Sequence, residues 1–87
     1  MYSSAEVNVS STNIYAEHLR ILEEAVQEAA EFDVRSAEVY QALEYLQARS
    51  QRRWGFTVYL EGLERGDHYM MKMGFEQIRH HLGEQQY

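Results

Sequence analysis

Not one proline occurs in the 87 residues of this chain. No position is therefore barred from a helix interior by a fixed φ and a missing backbone donor, and breaks must come from glycine and from side chains that compete for backbone hydrogen bonds. Apolar residues make up 45% of the sequence, and they recur at helical spacing. The pattern predicts an all-α fold, a compact bundle of three to four helices over about residues 12–32, 36–54, 56–65 and 67–82. Residues 1–10 are expected to form a flexible arm and residues 11–87 a single domain. A chain this long buries roughly two-thirds of the surface it exposes when unfolded, enough for one core.

The first helix is the most legible. With Ser11 or Thr12 as cap and about 100° per residue, Ile14, His18, Ile21, Leu22, Ala25, Val26, Ala29 and Phe32 fall on one broad arc, which Tyr15, Leu19 and Ala30 extend. Glu17, Glu24, Glu28 and Glu31 gather on the opposite side. So wide an arc implies contact with two neighbouring helices or a second chain. After the short link Asp33-Val34-Arg35, Ser36 caps a second helix whose first turn holds Glu38, a favourable placement against the helix dipole. Val39, Leu43, Leu46, Ser50 and Trp54 make its apolar stripe, Tyr45, Arg49 and Arg52 lie on a face that should be wet, and Gly55 ends or bends it. From Phe56 a single long helix would place Asp67 in the middle of its buried face. A break is therefore expected, with Gly66 as a left-handed C-cap and Asp67 as N-cap of a last helix that buries Met71, Phe75, Ile78 and Leu82 and closes at Gly83.

Charge is distributed unevenly. Residues 1–46 hold nine carboxylates against two arginines, whereas residues 47–87 hold six basic and five acidic residues, within a net charge of −6. Such segregation acts on partner choice more than on fold. An overall negative field repels phosphate, and Arg49, Arg52 and Arg53 alone do not make a basic stripe, so no direct nucleic-acid binding is expected. No apolar run approaches the roughly 20 residues that span a bilayer, and residues 1–10 lack the pattern of a signal peptide. The chain has no cysteine, which excludes disulfides and thiolate chemistry and favours a cytoplasmic setting.

Catalytic and metal motifs are lacking too. The five glycines are scattered and form no phosphate loop, and the serines form no nucleophile elbow. Glu76 and His80 share a helix face at the spacing of a two-ligand clip, but His80 and His81 diverge by about 100° and no third ligand is evident. His18, inside the apolar arc, reads as a hydrogen-bonded core histidine in preference to a ligand or a pH switch. Arg65-Gly66-Asp67 matches an integrin-recognition tripeptide, yet the helix stop and start already account for it.

Two surfaces remain. The ridge of Glu17, Glu24, Glu28 and Glu31 can present carboxylates to a partner's lysines and arginines, and Tyr45 with Arg49 and Arg52 combines the residue types most enriched at binding hot spots. The expectation is a small acidic, non-catalytic protein-binding module with no cofactor and no bound metal. It would act as an inhibitor or regulator that masks a basic, nucleic-acid-binding type of surface on a larger protein, without contacting a membrane. The alternatives are a self-assembling homo-oligomeric module, in which the acidic first helix of one protomer meets the arginines ending the second helix of another, and, behind it, a small-molecule or metal-binding helical protein.

Overall fold

The computed structural model describes the backbone of residues 3–85 and the side chains of residues 14–81. Four helices account for it: α1 (Ser3–Glu28), α2 (Ala37–Ala48), α3 (Trp54–Arg65) and α4 (His68–Gln85). The all-α bundle expected from the spacing is therefore present. Helix α1 begins at Ser3, so residues 3–10 of the expected arm are helical and Ser11 and Thr12 lie inside the helix instead of capping it, while the burial of Leu82 lies outside the described side chains. Helix α4 continues past Gly83 to Gln85, so Gly83 does not close it.

Each helix contributes its apolar stripe to one core. Leu22, Ala25 and Val26 of α1 meet Val39, Ala42, Leu43 and Leu46 of α2, Phe56, Tyr59 and Leu63 of α3, and Met71, Phe75 and Ile78 of α4. Tyr59, the largest fully buried side chain, donates its hydroxyl to the Leu22 carbonyl at 2.8 Å and so leaves no polar atom stranded. Burial alone pushes this phenol well above its ordinary pKa.

The α3–α4 hairpin follows the predicted break. Gly66 is the single positive-φ residue among the described ones, at 68°, and the Asp67 N–H behind it reaches the Gly62 carbonyl at 2.8 Å. Asp67 Oδ1 accepts from the Met70 N–H at 3.1 Å, as an N-cap should. The two helices then approach so closely that their glycines have no room for a side chain. A Cβ on Gly74 would stand 2.4 Å from the Tyr59 backbone nitrogen, and one on Gly62 would stand 2.6 Å from that of Met71.

Three expectations fail, each for a local reason. Helix α1 stops at Glu28 instead of residue 32: the Glu31 and Phe32 N–H groups both turn to the Glu28 carbonyl, at 3.0 and 2.9 Å, and the chain then enters an Asx turn in which Asp33 Oδ1 accepts from the Arg35 N–H at 3.1 Å. Phe32 consequently leaves the arc and is 66% exposed, and Ile14 at the far end is 44% exposed. Helix α2 stops at Ala48 instead of residue 54: Ser50 Oγ accepts from the Arg52 N–H at 3.2 Å and donates to its carbonyl at 3.0 Å, holding the chain in a bend. Trp54 thus opens α3, 57% exposed, and Gly55 belongs inside α3, where a Cβ would meet the Gly74 carbonyl at 3.0 Å.

Candidate protein-binding face

The α1–α2 hairpin sets the carboxylates of α1 and the pair Tyr45 and Arg49 on adjoining helices. Near the connecting turn, Ile21, Glu24, Glu28, Phe32, Glu38 and Val39 line a groove of about 400 Å³, together with Arg20, Asp33 and Arg35. Its lining is mostly polar: Val39 belongs to the core, Ile21 is half-buried and Phe32 is exposed, while Glu24, Glu28 and Glu38 stand on the outward side of the two helices and make the rim acidic.

The acidic ridge is not uniform. Arg20 lies one turn from both Glu17 and Glu24 and pairs with each, the second at 2.7 Å, so that three exposed side chains carry a single net negative charge. The two carboxylates, Glu17 foremost, hold the Arg20 guanidinium above its ordinary pKa. In the turn, Arg35 binds Asp33 at 2.8 Å and holds its carboxyl down at about 2. Glu28, Glu31 and Glu38 are exposed and have no ion-pair partner among the described residues. The available negative potential therefore sits at the turn end of the ridge.

Seven residues along α2 from Glu38, on the same face, Tyr45 lies between His18 and Arg49. The His18 ring stacks on it with centroids 4.1 Å apart and planes 6° from parallel, and the Arg49 guanidinium carbon lies 3.7 Å from its centroid. Two groups that close cannot share one face of a ring, so Tyr45 is held from both sides. His18 Nδ1 stands 2.6 Å from the Ile14 carbonyl, a geometry that requires the proton on that nitrogen. Arg49 also donates to the Tyr45 carbonyl at 2.9 Å, placing its charge at the C-terminal end of α2, where the helix dipole favours a cation. Tyr15 borders the group, its phenol raised first by partial burial and then by Tyr45, with Arg49 opposing.

Of the residues singled out in the sequence, Glu17, Glu24 and Glu28 line one side of α1, Glu31 lies just beyond its end, and Tyr45 and Arg49 come together. Arg52 does not join them. It sits in the exposed link between α2 and α3 beside Arg53. His18 is hydrogen-bonded as expected, but it is half-buried and outside the core, and its ring stacks on Tyr45, which no spacing within α1 could reveal. Arg20 and Glu38 were overlooked, although the three- and four-residue offsets of Arg20 from Glu17 and Glu24 are visible in the sequence.

Elsewhere, Glu76 accepts from Arg79 at 2.8 Å, and among the described residues no three His, Cys, Asp or Glu side chains converge as metal ligands. No helix there is long and apolar enough to cross a membrane. Comparison of the chain with protein-family models, with curated proteins and with solved structures finds no match to any of them.

Proposed function

We propose that this chain is a small, non-catalytic, cytoplasmic protein-binding module that masks a basic surface on a larger protein with its α1–α2 face. The observation that carries the reading is the groove at the turn: Glu28 and Glu38, which have no ion-pair partner among the described residues, line it together with the exposed ring of Phe32. Exposed carboxylates beside an exposed aromatic ring suit lysine and arginine side chains, whose stems are apolar and whose heads are cationic. Tyr45 and Arg49 supply an aromatic flank to the same face.

Reversal of Glu28 and Glu31 to lysine tests it. Both carboxylates are exposed, so circular dichroism and melting should stay as in the wild type. Affinity for a captured basic partner should fall by about tenfold or more, and wild-type binding should weaken as salt rises from about 0.05 to 0.5 M. A partner that tolerates both the reversals and the salt, yet is lost with Tyr45→Ala and Arg49→Ala, overturns the acidic-mask mechanism.

A further inference from the structure

Arg52 and Arg53 at the end of the α2–α3 link and Trp54 at the start of α3 are exposed in succession, with Trp54 57% exposed. Neither guanidinium has a carboxylate partner among the described residues. Two free cations beside an exposed indole form a surface that calls for carboxylates next to an apolar contact. The α1–α2 groove offers that combination in matching number: its own arginines, Arg20 and Arg35, are paired with Glu17, Glu24 and Asp33, which leaves Glu28 and Glu38 without ion-pair partners among the described residues beside half-buried Ile21 and the exposed ring of Phe32. The two surfaces cannot meet in one molecule. They lie at opposite ends of α2, a 12-residue helix about 18 Å long, beyond the reach of an arginine side chain.

We infer that the Arg52-Arg53-Trp54 link docks into the α1–α2 groove of a second copy of this chain. The contact pairs unlike patches, so it is directional: each protomer offers one link and one groove, and association proceeds head to tail instead of closing as a symmetric dimer. A net charge of −6 on every copy opposes approach, which makes the contact weak and its onset dependent on concentration. The inference rests on the proposed function only in using the same groove as a cation acceptor, and its test involves no other protein.

Sedimentation velocity over roughly 10 µM to 1 mM at about 0.1 M salt reads the association directly. The wild type should show an average mass that climbs from 10.3 kDa without a plateau at twice that value. The paired substitutions Arg52→Gln with Arg53→Gln, and Glu28→Gln with Glu38→Gln, should each leave the fold intact by circular dichroism and hold the protein at monomer mass. An equimolar mixture of the two variants keeps one intact groove and one intact link between them. It should form a species of twice the monomer mass and nothing larger. A wild type that stays monomeric throughout, a variant that associates like the wild type, or a mixture that remains monomeric overturns the inference. Loss of binding to a basic partner, measured at concentrations where the chain is monomeric, would bear on the proposed function alone.

Discussion

Substitution of Gly74 by alanine isolates the closest approach in the fold. The new Cβ would lie 2.4 Å from the Tyr59 backbone nitrogen, 2.7 Å from the Gly55 carbonyl oxygen and 2.8 Å from Tyr59 Cα. Ordinary contact begins near 3.4 Å, so α3 and α4 must part locally by about 1 Å. The blocking atoms are backbone of another helix and cannot swing aside. A gap of that size forfeits roughly a quarter to a half of the dispersion attraction across the seam, and overpacking of this kind costs about 1–3 kcal/mol. The upper end applies where nothing flexible yields, while alanine in place of glycine inside a helix returns about 1 kcal/mol. The net is a destabilisation of about 2 kcal/mol, equivalent to roughly 8–16 °C in melting temperature for a domain of this size. Thermal and urea melts followed by circular dichroism measure it. A Gly74→Ala protein that melts at or above the wild type would refute the backbone contact and with it the α3–α4 packing described above.

Gly66→Ala should cost about 1 kcal/mol in the same assay through its φ of 68° alone, since nothing lies within 4 Å of the added carbon; a gain in stability would mean the left-handed cap is absent. Tyr59 predicts alkaline sensitivity. Below its ordinary value of 10.0 the phenol is neutral both folded and unfolded, but above that pH only the unfolded chain ionises freely. Stability should then fall by roughly 1.4 kcal/mol per pH unit, with Tyr15 and Tyr40 adding to the slope. Tyr59→Phe should lose about 1 kcal/mol at neutral pH with its bond to Leu22 and show a shallower decline above pH 10; an unchanged slope would place Tyr59 at the surface.

What could be read from the sequence follows how local each determinant is. The core face of α1 was legible because Leu22, Ala25 and Val26 repeat at helical spacing, and the Gly66-Asp67 break because a left-handed cap followed by an acceptor at the next N-cap has few other uses. The end of α2 was not, because Arg49 to Arg53 contains no glycine or proline and the stop depends on one serine hydroxyl folding back on Arg52. That bend moved Trp54 from a predicted core stripe to the surface. At the candidate face, the carboxylates of α1 were legible as a row on one side of a helix. The stack of His18, Tyr45 and Arg49 was not, since it depends on the angle and register at which α1 meets α2, and no period within either helix encodes those.

The double restraint on Arg49 bears on the thermodynamics of recognition. Its guanidinium is held against the Tyr45 ring at 3.7 Å and by the Tyr45 carbonyl at 2.9 Å, so the rotamers of a long cationic side chain are narrowed before any partner arrives. Ordering such a side chain on association ordinarily costs about 0.5–1.5 kcal/mol. Here most of that loss is incurred when the chain folds. A ligand that meets the outer edge of the Arg49 guanidinium therefore binds up to about tenfold more tightly than it would to a freely rotating arginine at the same position. The advantage is one of preorganisation, and it is open only to ligands that accept the guanidinium in the orientation Tyr45 imposes.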